Sequence, residues 1–328
     1  MSRTKSSTYT HSEFERNPGT PLQMDWVNSI HVNKSAVERR VSTLVKRRSV
    51  KKQWQIAWLL KAITLIDLTT LAGDDTPGRV RRLCAKARRP VRPDILRAIG
   101  LDDFPLSVAA VCVYHNQIRP AVESLEGTGI PVAAVSTGFP AAQIPFELKV
   151  AQIKESVKAG AKEIDIVISR ELVLTGRWEE LYSEVAAYRD ACADAHMKAI
   201  LSVGELGTLT NVAKASLVCM MAGADFIKTS TGKEKVNATL ENSLVMVRMI
   251  RDYYEKTGHK VGFKPAGGIR SAKQAIQWLI LIKEELGNEW LSPQLFRFGA
   301  SGLLGDIERQ LEYHATGMYS ATYRNPMA

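Results

Sequence analysis

Short runs of apolar and β-branched residues recur along the chain, at 62–68, 108–114, 132–136, 163–169, 198–203, 225–229, 261–264 and 295–298. Their length and composition predict eight β-strands. Between most of them the period changes. Residues 143–159, 178–195, 212–221, 240–254 and 272–286 carry apolar side chains at i, i+3 and i+4, the spacing of one helix face. Gly160, Gly223 and Gly287 stand where the C-caps of three such helices fall. From the second strand onward, strand starts are about 24 to 35 residues apart. Eight strands alternating with helices at this spacing predict an α/β fold, the (β/α)8 TIM barrel. An open doubly wound sheet is the alternative, but no G-x-G-x-x-G follows the first strand.

Ahead of this rhythm, residues 1–33 are polar and predicted to be poorly ordered at their start. Residues 35–60 have helical periodicity and many basic side chains. The domain plan is therefore a basic, mostly helical N-terminal extension over 1–60, a barrel over 61–315 and a tail over 316–328.

Composition adds two limits. At 45% hydrophobic and 24% charged residues, the 328-residue chain has the make-up of a soluble globular protein. Its longest apolar runs are too short to cross a bilayer, and its first residues hold no apolar signal core. Cys84, Cys112, Cys192 and Cys219 are widely spaced, without metal or redox pattern. Buried free thiols in a reducing compartment, hence a cytoplasmic location, are expected.

Charge sharpens the division of the chain. Residues 1–105 hold 20 Lys/Arg against 10 Asp/Glu, whereas the remainder holds 24 of each. Most of the excess lies in 34–61 and 79–97. A basic arm can bind an anionic partner. A solvated helical extension is the favoured reading, because Trp54 and Trp58 at i, i+4 form a packing stripe rather than base-stacking aromatics. Such an arm predicts that removing residues 1–55 leaves the barrel folded and active. A homo-oligomer is compatible with one chain's sequence.

The chemistry concentrates on two lysines at predicted strand ends. Lys228 lies in Phe226-Ile227-Lys228-Thr229-Ser230-Thr231-Gly232-Lys233, and Lys264 in Val261-Gly262-Phe263-Lys264-Pro265-Ala266-Gly267-Gly268. Desolvation disfavours an ammonium group, and an amine that loses its proton near neutral pH can attack a carbonyl to form a Schiff base. Strands six and seven are neighbours in a barrel, so two ammonium groups held about 4–6 Å apart would each disfavour the other's charge. In a barrel, active residues collect at the C-terminal ends of strands, where Asp67, Asp165, Glu205 and Ser301 also fall. Alternation puts Glu163 and Asp165 on one strand face, and a carboxylate beside ammonium groups can relay protons through water. Gly267-Gly268-Ile269-Arg270 and Gly299-Ala300-Ser301-Gly302 each precede a predicted helix, the usual setting for phosphate in barrel loops seven and eight. Lys233 and Arg270 can add charge-assisted contacts there. The scattered His115, His196, His259 and His314 have no metal-ligand spacing.

These residues closely resemble the deoxyribose-phosphate aldolase family of class I aldolases. The match includes Ile66-Asp67-Leu68-Thr69-Thr70-Leu71, Val111-Cys112-Val113-Tyr114, Glu163-Ile164-Asp165-Ile166-Val167, the two lysine motifs, and Phe296-Arg297-Phe298-Gly299-Ala300-Ser301. It spans roughly residues 62–312, and the basic N-terminal stretch resembles the longer, animal-type members. The resemblance implies a metal-free, cofactor-free aldolase that reversibly cleaves 2-deoxy-D-ribose 5-phosphate into D-glyceraldehyde 3-phosphate and acetaldehyde, in deoxyribonucleoside catabolism. It implies Lys228 as the Schiff-base lysine, with Asp165 and Lys264 as the proton-relay pair. Implied substrate contacts are Asp67, Cys112, Thr231, Gly232, Lys233, Gly267, Gly268, Arg270, Gly299 and Ser301. Two departures stand out. Ser301 is followed by Gly302 where many members have a second serine, and Tyr319 and Tyr323 compete for the role of the C-terminal tyrosine of the short bacterial members.

Overall fold

The computed structural model describes residues 16–102 and 104–326. Three helices come first, α1 (Met24–Ser29), α2 (Lys34–Leu44) and α3 (Lys52–Ile63). The strands follow as β1 (Ile66–Thr69), β2 (Ala110–Val113), β3 (Val132–Val135), β4 (Glu163–Val167), β5 (His196–Ile200), β6 (Phe226–Lys228), β7 (Gly262–Lys264) and β8 (Phe298–Ala300). Between them run α4 (Pro77–Arg88), α5 (Pro93–Ala98), α6 (Ile118–Leu125), α7 (Phe146–Lys158), α8 (Arg170–Leu174), α9 (Trp178–Ala191), α10 (Leu209–Met221), α11 (Leu240–Thr257) and α12 (Ala272–Glu285). A last helix, α13 (Gly302–Thr316), follows β8.

All the strand ladders are parallel, in the order β7-β6-β5-β4-β3-β2-β1-β8. Bridges between Phe263 and Phe296 and between Ala266 and Gly299 bring the two ends of this sheet together. The fold is the predicted (β/α)8 barrel. Short apolar and β-branched stretches, interrupted in several strands by inward charged residues, made the strands visible in the sequence. The outward residues Ile164, Ile166, Met197, Ala199, Ile227 and Phe263 join the core between sheet and helices.

Local boundaries moved for physical reasons. Residues 62 and 63, read as the start of the first strand, belong to the buried face of α3. The helix predicted over 35–60 is two helices. Between them sits the basic stretch Lys46-Arg47-Arg48. Arg48 bonds Glu284 on α12 through Nε at 2.7 Å. The eighth strand begins at Phe298, at the end of the run read for it.

The leading segment is no detached arm. Val27, Ile30, Val37, Val41 and Leu44 are buried in the main core. Asn17 is also buried, its side-chain amide donating to the carbonyls of Met220 and Ala224 at 2.8 and 2.9 Å. The expected solvated extension is therefore corrected, since its apolar face packs on the barrel's helices. Arg40 of α2 and Arg48 beyond its end pair with Glu285 and Glu284 at the acidic end of α12, each at 2.7 Å. Lys34, Arg39, Lys46, Lys51 and Lys52 stay exposed. The polar start read at the N-terminus falls partly on residues 1–15, outside the described residues. Among the described residues, no helix is long and apolar enough to cross a membrane.

Candidate active site

Strand alternation decides what the barrel encloses. Since Ile164 and Ile166 of β4 face the helices, Glu163, Asp165 and Val167 face inward. The ladder register then sets Asp165 beside Lys198 of β5 and Lys228 of β6 beside Lys264 of β7. Asp67 enters from β1, and Arg297 enters just before β8.

These seven charged side chains are all buried. Lys228 Nζ donates to Asp165 Oδ2 at 2.7 Å. Lys264 Nζ donates to the same oxygen at 2.8 Å and to Asp67 Oδ2 at 2.5 Å. Lys198 Nζ donates to Asp165 Oδ1 at 3.0 Å and to Glu163 Oε2 at 2.5 Å. Arg297 reaches Glu163 Oε1 through Nη2 at 2.8 Å and Asp67 Oδ1 through Nη1 at 2.6 Å.

Counting charge gives the cluster its chemistry. Four basic groups face three carboxylates, so full ionisation would leave a net positive charge away from water. Release of one proton makes the cluster neutral. Lys228 is the group placed to lose it, because its one carboxylate oxygen is shared with Lys264. Burial lowers its pKa below the ordinary lysine value, with Asp165 opposing and Lys264 reinforcing the shift. For Lys264 burial pulls the same way, but Asp165 and Asp67 outweigh it and hold the pKa well above the lysine range. Burial likewise opposes ionisation of Asp165, yet Lys198, Lys228 and Lys264 hold its carboxyl well below the usual range. The result is an amine biased toward its neutral form, beside an ammonium group and a carboxylate that are both held in their charged forms.

Lys198 and Arg297 were missed by sequence reasoning. Lys198 carries the same signal as Lys228, a lysine inside the apolar strand His196-Met197-Lys198-Ala199-Ile200, on the inward parity of the strand. Arg297 sits between Phe296 and Phe298, where parity again points it inward. Lys198 positions Glu163 and Asp165 rather than supplying a free amine. Its replacement by methionine leaves Glu163 with Arg297 and Asp165 with Lys228 and Lys264, so it should cost about 1–3 kcal/mol of stability for the lost bonds, read by urea unfolding.

The other expected residues divide into two groups. Asp67 lies inside the charged cluster between Lys264 and Arg297, not among the glycine loops. Cys112 is buried beside it, its thiol pKa raised chiefly by burial. Glu205 stands outside the cluster, paired with Arg170 at 2.8 Å. The glycine loops do converge. A Cβ on Gly232 would lie 3.8 Å from Gly267 Cα, and one on Gly299 would meet Ala266 Cβ at 2.8 Å. Gly267 and Gly268 have φ of 81° and 83°, a left-handed pair that side chains other than glycine rarely adopt. Ser301 is the N-cap of α13 but makes no side-chain cap, which leaves first-turn N–H groups for an anion. The N–H groups of Thr231 and Gly232 already donate to the Glu234 carboxylate at 3.0 and 3.1 Å. Lys233 reaches across to the Leu71 carbonyl at 2.9 Å. Arg270 is exposed, and its backbone N–H donates to Gln274 at 2.9 Å.

Neither candidate tyrosine enters the cluster. Tyr319 stacks on Tyr313 with centroids 4.4 Å apart, and Tyr323 is exposed. Asn325 ties the tail to Glu312 at 3.2 Å, near the end of α13 that lies away from the mouth.

The residues of this constellation come from six different strands or strand ends, as in barrel enzymes generally. The sequence from 61 to 285 matches the family model described as "DeoC/LacD family aldolase". The chain belongs to this aldolase family. The deoxyribose-phosphate aldolase of Mus musculus is 59% identical over 312 residues, covering 94% of this chain and 98% of its own. The Homo sapiens protein of the same name is 57% identical over 314 residues, covering 95% and 99%. The solved tetrameric deoxyribose phosphate aldolase from Aeropyrum pernix aligns with a TM-score of 0.56 at 22% identity, covering 85% of this chain and 99% of that one. At that identity the structure speaks for the fold alone, while the mammalian relatives speak for the family along nearly the whole chain.

Proposed function

We propose that the chain is a deoxyribose-phosphate aldolase, reversibly cleaving 2-deoxy-D-ribose 5-phosphate into D-glyceraldehyde 3-phosphate and acetaldehyde. The observation that carries this reading is the buried cluster of four basic groups and three carboxylates, with Lys228 the amine least held by carboxylate. The mammalian relatives supply the substrate.

The Lys228 amine adds to the C1 aldehyde of the open-chain sugar, and loss of water gives a protonated imine. Removal of the proton from the C3 hydroxyl lets the C2–C3 electrons flow to the imine. That step releases D-glyceraldehyde 3-phosphate and leaves an enamine. Protonation at C2 and hydrolysis free acetaldehyde and restore Lys228. The protonated imine is the electron sink. Asp165 and Lys264 flank the amine and move protons with a water molecule. The phosphate rests on the glycine rim, against Gly268, Gly299, the first turn of α13 and Lys233. Thr231, Gly232 and Gly267 shape the rim, with the first two N–H groups held by Glu234.

Borohydride reduction in the presence of acetaldehyde, followed by peptide mapping, tests the assignment. A stable ethyl adduct on Lys228 is expected. An adduct on Lys264, or no adduct, sinks it. A second expectation concerns pH. The nucleophile is the neutral amine, so imine formation rises as pH passes through the pKa of Lys228. Replacing Lys264 by leucine removes a neighbouring charge and leaves Asp165 to stabilise the Lys228 ammonium, so the pKa of Lys228 rises. The alkaline rise in trapping rate should therefore move to higher pH. An unmoved profile refutes the electrostatic role of Lys264.

A further inference from the structure

The barrel mouth has two unlike sides. Lys228, Lys264 and the glycine rim lie over β6 to β8, whereas the inward side chains at the ends of β4 and β5, Val167 and Ile200, are apolar. Val167 and Ile200 point inward, fully buried, and pack with Ala142 and Phe139 in a cluster separate from the main core. The register places Ile200 directly across from Lys228 and Val167 across from Ile200. Neighbouring strands are about 4.8 Å apart, so this wall flanks the lysine on the next strand.

The loop bearing Phe139 and Ala142 is held in a strained shape. Thr137 and Ala142 have φ of 58°, and Ser202, after β5, has φ of 56°. Non-glycine residues adopt this region at an energetic cost, and such strain persists only where the surroundings enforce it. Thr137 Oγ1 exchanges hydrogen bonds with the Val167 backbone, donating at 2.9 Å and accepting at 2.6 Å. Arg170 donates through Nη2 to the Ala141 carbonyl at 2.9 Å and through Nη1 to Ser202 Oγ at 2.9 Å. One guanidinium thus ties the loop after β3 to the loop after β5.

We propose that Val167, Ile200, Ala142 and Phe139 form the subsite for the aldehyde end of the substrate, and that this wall selects a two-carbon donor with no hydroxyl on its α-carbon. The inference rests on the aldolase reading and names the specificity residues of that site. Arg170 is a positioning residue that holds the wall. The four side chains offer no hydrogen-bond donor or acceptor, so a hydroxyl on the donor carbon would be buried without a partner. A further methyl group would meet a filled space. Acetaldehyde brings neither. A pocket of this kind discriminates by roughly 10- to 100-fold, the range for one methylene or one hydroxyl against an apolar surface.

Propanal and glycolaldehyde are near-isosteric probes that differ by a methyl for a hydroxyl. Each is offered with D-glyceraldehyde 3-phosphate, beside acetaldehyde, and kcat/KM is measured for the wild type, Ile200→Val, Ile200→Thr and Phe139→Leu. The wild type should prefer acetaldehyde over both by about tenfold or more. Ile200→Val should raise the propanal-to-acetaldehyde ratio by roughly tenfold. Ile200→Thr has nearly the size of Ile200→Val but adds a hydroxyl, so it should raise glycolaldehyde relative to propanal. Phe139→Leu, at the loop, should move propanal in the same direction as Ile200→Val and serves if the strand variants do not fold. Ratios within about twofold of the wild type in every folded variant overturn the subsite. A wild type that forms no product from acetaldehyde overturns the aldolase reading itself, and the subsite with it, in the same assay.

Discussion

Replacement of Lys228 by methionine should abolish borohydride trapping and lower turnover by about four orders of magnitude or more, while the barrel stays folded. Loss of a covalent nucleophile removes the reaction path rather than one favourable contact, and losses of this order follow. The folded state should tolerate the change because of the charge count. The cluster would then hold Lys198, Lys264 and Arg297 against Asp67, Glu163 and Asp165, three of each sign. Asp165 would keep Lys198 at 3.0 Å and Lys264 at 2.8 Å, so no buried carboxylate is orphaned. Lys264→Met reaches the same count but removes the cation that bridges Asp67 and Asp165. It should therefore be the less stable of the two variants. Steady-state kinetics with a coupled assay for D-glyceraldehyde 3-phosphate and a thermal melt check both halves. A Lys228→Met protein with a hundredth of normal turnover is incompatible with a single essential imine.

The contrast between Lys228 and Lys198 shows how far the sequence was legible. Both are lysines inside apolar strands, and both are buried. The strands were readable, because the residues facing the helices form short apolar and β-branched sets even where charged residues alternate with them. The convergence on one mouth was readable too, since the fold itself puts strand ends together. Register was not. Whether a buried lysine is a free amine or a structural cation depends on how many carboxylate oxygens surround it. That number is set by pairings such as Asp165 with Lys198, across residues distant in sequence. The same limit explains Asp67, read as a substrate contact near a strand end but engaged inside β1 by Lys264 and Arg297. The packing of the segment before residue 61 was hidden for a related reason. Basic residues dominate the segment's composition and mask a narrow apolar stripe, whose partners on α10 to α12 lie far along the chain.

That stripe underlies the second large effect expected, in which removal of residues 1–55 yields no cooperatively folded protein. The segment buries Val27, Ile30, Val37, Val41 and Leu44 against the barrel's helices. Full burial of one such side chain contributes about 1.5–3 kcal/mol, so the five together contribute on the order of 10 kcal/mol. A domain's whole stability is about 5–15 kcal/mol, and the truncation removes a comparable amount. It would also uncover the partners of those side chains, leaving an apolar surface open to aggregation. Polar ties are lost with it. The N–H of Asn17 donates to Asp225 at 3.0 Å, and the hydroxyl of Tyr253 donates to the Asn17 side chain at 3.1 Å. Without the segment these buried groups lose their partners, which adds about 1–3 kcal/mol for each group left unsatisfied. Circular dichroism melting of the truncated chain decides the point. A cooperative transition near that of the full chain, with turnover retained, would mean that the barrel is self-sufficient. Asn17→Ala separates the anchor from the apolar stripe. It removes the amide that holds the Met220 and Ala224 carbonyls, so it should lower the melting temperature while kcat stays unchanged, because the anchor lies beside the start of β6 and not at its reactive end.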